Sequence, residues 1–186
     1  LGSVTRSIYG GLVQWEKGFD DQSSHAIKID DANWDIAMVV VIVNSHQKSI
    51  SSRKAMAQTV LTSPFYKQWP KDSEADLIAI KKAIADRDFV AMGEITERNA
   101  LKMHATMWAA NHPINYMEPN SILVMQRVKQ LRDQGIDAYF TMDAGPNVKI
   151  LCRMSQAFKI KEFLLADFKD EEIVISGNIT LQGGEK

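Results

Sequence analysis

A turn between two strand-like runs constrains the fold of this chain more than any other feature of the sequence. The runs 138–142 and 148–152 are rich in aromatic and β-branched residues, and Gly145, Pro146 and Asn147 between them favour a tight turn. The pattern therefore predicts a β-hairpin. This hairpin would place the carboxylate of Asp143 at the mouth of its turn.

Asp143 has two interpretations on spacing alone. Asp and Asn are common in turns because their side chains form hydrogen bonds with the nearby backbone, so Asp143 could simply stabilise the turn. A carboxylate on a loop held by two strands is also well placed for acid–base chemistry. The spacing leaves both interpretations open.

The rest of the sequence alternates between strand-like and helix-like patterns. Apolar, β-branched runs predict further strands, and apolar residues at helical spacing predict helices. This order fits a two-layer α+β domain in which helices cover one face of a mainly antiparallel sheet. The predicted strands are 12–15, 34–43 and 172–176, and the predicted helices are 52–61, a run opened by Asp72 that includes Leu77, Ile80, Ile84 and Val90, 92–109, 120–134 and 156–168.

Charge and composition argue against two classes of partner. The 22 Lys and Arg residues nearly balance the 23 Asp and Glu residues, which disfavours nucleic acid and an acidic membrane surface. The longest apolar run, 36–43, is far shorter than the roughly 20 residues of a membrane helix. Cys152 is the single cysteine and lies in an apolar strand, so a buried thiol in a reducing cytoplasm is expected.

Four segments of the chain carry a family resemblance: 2–11, 51–56, 99–106 and 143–147. In this order they resemble the C-terminal part of the mevalonate diphosphate decarboxylases, members of the GHMP kinase superfamily, and most of all the bacterial enzymes. The resemblance implies a GHMP C-terminal domain, a ferredoxin-like split βαβ unit, over residues 16–186. Residues 1–15 would then be the remnant of an N-terminal domain, carrying a substrate motif.

The same resemblance implies an activity and a set of ligands. The expected reaction is the ATP-dependent decarboxylation of mevalonate 5-diphosphate to isopentenyl diphosphate, with Mg²⁺ bound to the nucleotide and the enzyme acting as a homodimer. Asp143 and Arg6 are the implied catalytic residues, and no residue is expected to bind a metal directly. The implied substrate contacts are Gly2, Ser3, Thr5, Ser52, Arg53 and Met56, and the implied nucleotide phosphate contacts are Lys48 and Ser52.

These residue types suit an anionic ligand. A guanidinium such as that of Arg6 or Arg53 presents a planar fork to phosphate or carboxylate. Ser52 at a predicted helix start adds a hydroxyl beside free backbone N–H groups, a common phosphate site. Without the motif context Arg6 and Arg53 would be taken for ordinary surface cations, and Lys48 could equally well be a nucleotide contact or a solvated loop lysine.

The chain is also expected to be a fragment. Family members begin with a Gly/Ser-rich phosphate loop that has no counterpart here, and Leu1 stands where the family usually has Ser. We therefore expect an N-terminal domain that is missing from this chain.

Two other functions remain open from the sequence. Another GHMP small-molecule kinase would share the fold, although the segment 143–147 favours the decarboxylase. A non-catalytic assembly domain would not need Arg6 and Asp143 in one cleft. The four histidines lack metal-ligand spacing, and His104 is expected to pack or form a hydrogen bond at a helix face beside the cleft.

Overall fold

In a computed structural model of the protein, the structure describes residues 10–18, 20, 23–45 and 51–177. The chain divides into two compact units, residues 1–36 and 37–186. No helix in the described part of the chain has the length and apolar character needed to cross a lipid bilayer.

The described part of the first unit contains an antiparallel hairpin. Strand β1 (Leu12–Trp15) was predicted, whereas its partner β2 (Ala26–Asp30) was not. Beyond β2, the Asp30 carboxylate accepts hydrogen bonds from the Ala32 backbone (2.7 Å) and the Trp34 indole (3.0 Å). Because of this local turn, the strand predicted over 34–43 begins only at Ala37.

The second unit contains a four-stranded antiparallel sheet in the order β4-β5-β3-β6. This order, with crossover helices between β3 and β4 and between β5 and β6, is that of a ferredoxin-like split βαβ unit and confirms the predicted fold class. The predicted strand 34–43 is shortened to five residues, and the other three strands lie within a residue of their predicted bounds. The strands are β3 (Ala37–Val41), β4 (Ala138–Thr141), β5 (Val148–Cys152) and β6 (Ile173–Gly177).

Five α-helices lie in the described part of the second unit. Two of them cover one face of the sheet and form the main core with it, in which Val39, Ile150, Leu131 and Ile160 are fully buried. Cys152 is buried in the same core, as predicted. The helices are α1 (Ser52–Thr62), α2 (Trp69–Ala85), α3 (Phe89–Trp108), α4 (Pro119–Asp133) and α5 (Met154–Leu164), and the two core helices are α4 and α5; a short 3₁₀ helix (Asp170–Glu172) precedes β6.

Two predicted helix boundaries were wrong. The helix predicted to open at Asp72 begins three residues earlier, at Trp69. Pro70 lies in its first turn, where proline is tolerated because the N–H it lacks would have no intrahelical partner. Val90 was assigned to the helix opened by Asp72, but it belongs to α3. The break between them contains Arg87 with φ 56° and Asp88, whose side chain accepts from the Ala91 N–H at 3.0 Å and caps α3.

A buried carboxylate joins α2 to α3. Asp76 on α2 accepts hydrogen bonds from Asn99 (3.1 Å), Lys102 (2.9 Å) and Arg98 (3.2 Å) on α3. Burial by itself raises the pKa of Asp76, but the three donors outweigh burial and the pKa lies below its ordinary value. The ionised side chain therefore fixes the register of the two helices.

Helix α3 packs against the sheet on the side opposite α4 and α5, at strand β4. Gly93 of α3 lies directly against the ring of Tyr139, and a Cβ built at Gly93 would stand 2.1 Å from the Tyr139 Cδ2. Glu97 of α3 accepts from the Phe140 N–H (3.2 Å), and Arg132 donates to the Ala138 carbonyl (2.8 Å). Side chains therefore form hydrogen bonds with backbone groups at the outer edge of β4.

Candidate active site

The predicted hairpin is present, and its turn is tied to two other elements. The Asn147 side-chain oxygen accepts from the N–H groups of Val43 (2.9 Å) and Asn44 (3.0 Å), just beyond β3. The Pro146 carbonyl accepts from the Ser121 hydroxyl (2.7 Å) in the first turn of α4. The turn 142–147 is therefore held from both sides, and Asp143 projects from a fixed support.

Asp143 is accessible at this support. Its side chain is 70% exposed and forms an ion pair with Lys149 of β5 at 3.0 Å. An exposed pair of this kind contributes only ~0–1 kcal/mol to stability, so a ligand can replace Lys149 at little cost. The geometry matches a carboxylate that is available for chemistry better than one needed only for the turn.

A small apolar cluster joins the turn to the start of α1. Ala55, Met107, Ile114 and Tyr116 are buried together, and Met56, Met103 and Ala144 pack against them. Ala144 follows Asp143 directly, and Met56 lies in the second turn of α1. The structure thus brings the predicted residue Met56 and the Asp143 turn to one cluster.

The start of α1 has the features of an anion site. Helix α1 begins at Ser52, as predicted, and Ser51 caps it: the Ser51 hydroxyl accepts from the Lys54 N–H at 3.3 Å. Ser52 and Arg53 are both exposed in the first turn, which contains no acidic residue to offset the positive end of the helix dipole. An exposed hydroxyl, a guanidinium and a helix N-terminus together suit a phosphate.

His104 lies inside α3 beside the Asp143 turn. Its side chain is 1% exposed, and among the described residues neither ring nitrogen has a hydrogen-bond partner of normal geometry. Burial lowers the pKa of His104, while the nearby Met142 backbone and the Asp143 charge oppose that shift. The predicted packing of His104 is confirmed, and the ring is neutral at pH 7.

Five predicted site residues lie outside the described residues, and their roles stay predictions. They are Gly2, Ser3, Thr5, Arg6 and Lys48. Within the described ranges no group of three His, Cys, Asp or Glu side chains could hold a metal ion.

The sequence prediction missed two features of this site. Lys149 pairs with Thr141 across the hairpin, which places its ammonium near the turn, so the hairpin register could have indicated it. Asn147 was given only a turn-favouring role, but its contacts with Val43 and Asn44 join parts of the chain that no local pattern connects.

The fold and this site define a GHMP-type C-terminal domain: a split βαβ unit that carries an exposed carboxylate on a turn packed into the same apolar cluster as α1. Residues 38–181 match the family model of the mevalonate 5-diphosphate decarboxylase C-terminal domain. The chain belongs to this family.

Curated relatives agree with the family match. The chain is 31% identical to the diphosphomevalonate decarboxylase of Candida albicans over 90% of this chain and 48% of the relative. It is 32% identical to the Saccharomyces cerevisiae enzyme over 88% of this chain and 43% of the relative. The chain therefore spans about half the length of the curated relatives that it matches.

Solved structures give the same result. The mevalonate diphosphate decarboxylase of Staphylococcus aureus is 42% identical, with a TM-score of 0.87 over 94% of this chain and 53% of that one. The Enterococcus faecalis enzyme is 43% identical, with a TM-score of 0.85 over 94% of this chain and 53% of that one. A further neighbour, MDDEF in complex with MVAPP, AMPPCP and magnesium, is 43% identical, with a TM-score of 0.87 over 94% of this chain and 54% of that one.

Proposed function

We propose that this chain is the C-terminal part of an ATP-dependent diphosphomevalonate decarboxylase, which converts mevalonate 5-diphosphate to isopentenyl diphosphate. One observation carries the proposal beyond family membership. Asp143 is exposed on an anchored turn, and the next residue of that turn, Ala144, packs into the same apolar cluster as Ala55 and Met56 of α1. A carboxylate and an anion site are the two features that this substrate needs.

The first step is phosphoryl transfer to the substrate's tertiary hydroxyl. Asp143 accepts the hydroxyl proton, or orients that hydroxyl, as its oxygen forms a bond to the γ-phosphorus and ADP leaves. Lys149 holds the free carboxylate until the substrate arrives, and Arg6 takes a place beside Asp143 when the whole site is assembled.

The second step is decarboxylation. The new phosphate leaves with the electrons of the C–O bond and takes any proton that Asp143 has accepted. Positive charge develops at the tertiary carbon, and Asp143, again a carboxylate, stabilises that charge. The C–C bond to the carboxylate then breaks, and its electrons form the double bond of isopentenyl diphosphate as carbon dioxide departs.

The remaining predicted residues bind anions. Ser52, Arg53 and the backbone near Met56 contact phosphate at the start of α1, since their exposure and the helix dipole favour negative charge there. Gly2, Ser3 and Thr5 contact the diphosphate or carboxylate of the substrate, and Lys48 contacts the nucleotide phosphates.

ATP and Mg²⁺ enter as co-substrate. The magnesium complex with MVAPP and AMPPCP in a 43% identical neighbour supports this assignment. Magnesium bound to the nucleotide phosphates needs few protein ligands, because Mg²⁺ keeps several waters and takes oxygen atoms from phosphate.

The completed enzyme would contain an N-terminal domain, to which residues 1–15 belong, and residues 16–186 would form the C-terminal domain. The N-terminal domain would hold ATP across a cleft from Asp143. The homodimer and the cytoplasmic location stay predictions, and light scattering and fractionation of cells that express the complete protein would test them.

Asp143→Asn in the complete protein tests the catalytic role. The change keeps side-chain size but removes the charge and the proton acceptor, so we expect kcat to fall by roughly 10²–10⁴-fold with a much smaller change in KM. The measurement is carbon dioxide release from mevalonate 5-diphosphate with ATP. Asp133→Asn, at an exposed position at the end of α4, is the matched control.

Two further measurements separate the alternatives. Wild-type turnover in Asp143→Asn would contradict the role of Asp143, and ADP formation without carbon dioxide would identify a kinase instead. Arg53→Ala should raise KM as well as lower kcat, because its contact exists before the transition state. An unchanged KM would remove Arg53 from the site.

A further inference from the structure

The protein keeps one costly feature that the reaction described above does not use. His104 is 1% exposed, and both of its ring nitrogens lack a hydrogen-bond partner among the described residues. Burying a polar atom without a partner destabilises a fold, and most buried polar atoms in native proteins are paired. Such a cost needs an explanation.

The surroundings of the ring point to the Asp143 turn. Met142 and Asp143 are the polar neighbours whose backbone and charge act on the imidazole. Met103 on the same helix packs against the cluster that also contacts Ala144. His104 therefore lies beneath the residues that carry the catalytic carboxylate, although it is itself closed off from solvent.

A neutral imidazole at this place has one N–H donor and one acceptor nitrogen. The Met142 backbone is close enough to favour a proton on the ring, but the contact falls short of a hydrogen bond of normal geometry. A small shift of Met142 toward α3 would complete it, because the anchors of the turn lie at its other end, at Pro146 and Asn147.

We propose that His104 is a positioning residue for Asp143: when ligand binds, its ring N–H donates to the Met142 backbone carbonyl and fixes the direction in which the Asp143 carboxylate projects. The inference rests on the proposed function of Asp143. In the free protein the ring has no hydrogen-bond partner among the described residues, and its hydrogen bond forms only when ligand is bound.

The inference predicts that stability and activity change in opposite directions. His104→Phe in the complete protein removes the unpaired nitrogens and keeps an aromatic ring, so we expect the melting temperature to rise by about 2–4 °C. The same variant should lose at least about 10-fold in kcat, with KM for mevalonate 5-diphosphate within about threefold of wild type. A merely structural histidine would give losses in both quantities or in neither.

Conservative variants provide the rescue. The amide nitrogen of His104→Asn occupies roughly the place of Nδ1, and that of His104→Gln roughly the place of Nε2, so one of them should recover kcat to within about threefold of wild type. The variant that recovers identifies the donor nitrogen. His104→Leu repeats the test should Phe overfill the site, and His25→Gln, at an exposed histidine, is the control.

Three results would overturn the inference. One is wild-type kcat in both His104→Phe and His104→Leu. Another is a loss of kcat that neither Asn nor Gln relieves. The third is the absence of any stability gain in both apolar variants.

Failure of the proposed function gives a different pattern, because the wild-type protein would then release no carbon dioxide. In that case the ¹⁵N NMR spectrum of the His104 ring tests whether His104 and Asp143 are coupled. Asp143→Asn should move the ring signals and lower the pKa of His104 further, since it removes a charge that favours the protonated ring. Unchanged ring signals in that variant would refute the coupling between His104 and Asp143.

Discussion

At the scale of single residues, the site depends on the different environments of two neighbours in the Asp143 turn. Asp143 is exposed and loosely paired with Lys149, whereas Asn147 is committed to the backbone of Val43 and Asn44. Asp143 can therefore contact a ligand, because Asn147 holds the turn in place.

Asn147→Ala should destabilise the protein through this anchor. The change leaves two backbone N–H groups beyond β3 without their acceptor, so we expect the free energy of unfolding to fall by about 1–3 kcal/mol. Asn147→Asp should lose less because a carboxylate oxygen can still accept both bonds. Urea denaturation measures both variants, with exposed Asn120→Ala as the control. Equal losses for Ala and Asp would contradict the anchoring role.

Acid sensitivity is a second residue-scale consequence. The pKa of His104 is lower in the folded protein than in the unfolded chain, so below about pH 6.5 the unfolded chain binds the extra proton first. Stability should therefore decline as the pH falls from about 6.5 toward the folded pKa, and should be unaffected by this group at higher pH. His104→Phe should show a shallower decline in urea titrations between about pH 7 and pH 5, and His25→Gln should follow the wild type.

Sequence reasoning placed Asp143 on a hairpin turn correctly because turn chemistry is local. It could not find that His104 is buried without a hydrogen-bond partner in the described part of the chain, because that depends on how α3 packs against β4 and its following turn. The position of Lys149 near the turn could have been predicted from the sequence, because the hairpin register sets it opposite Thr141.

At the scale of elements, the prediction succeeded where the pattern is long and periodic and failed where one residue has two common uses. The strands β4, β5 and β6 and the helices of the main core were predicted with small boundary shifts. The start of α2 was predicted at Asp72 rather than at Trp69, because a proline such as Pro70 can end a helix as well as favour its first turn. Strand β2 was missed because its Ile and Lys residues give only a short alternation.

Gly93 tests the contact between α3 and β4. Alanine normally stabilises a helix by about 1 kcal/mol relative to glycine, but here its Cβ would meet three ring carbons of Tyr139 at 2.1–2.4 Å. Because Tyr139 is only 7% exposed and has little room to move, we expect the clash to dominate and Gly93→Ala to lose about 1–3 kcal/mol of unfolding free energy.

A double-mutant cycle supplies the control for Gly93. In a Tyr139→Ala background the clash is gone, so Gly93→Ala should become neutral or stabilising by up to about 1 kcal/mol. Thermal or urea denaturation of the four proteins measures the coupling. A destabilisation of the same size in both backgrounds would show that the ring contact is not the cause.

At the scale of the whole molecule, the second unit closes its own core, whereas the proposed reaction calls for an ATP site that we expect in an N-terminal domain. The main core combines all four strands of the larger sheet with α4 and α5, so folding does not depend on another domain. Phosphoryl transfer depends on positioned ATP, and the sequence has no counterpart of the family's phosphate loop.

Residues 1–186 expressed alone should therefore fold but release no carbon dioxide from mevalonate 5-diphosphate and ATP. Near-ultraviolet circular dichroism and cooperative urea unfolding measure folding, and the release assay measures activity. The control is the same assay after addition of the separately expressed N-terminal part of the complete protein. Robust turnover by the chain alone would refute the need for that part.

The outer edge of β4 has a practical consequence for such a preparation. An uncovered strand edge offers its backbone to strands of other molecules and is a common starting point for fibrils. Here Glu97 and Arg132 already occupy the Phe140 N–H and the Ala138 carbonyl. Growth of a cross-β aggregate from this edge would first have to break a bidentate ion pair between those two side chains. The purified chain is thus protected on this side against intermolecular strand addition during concentration and storage.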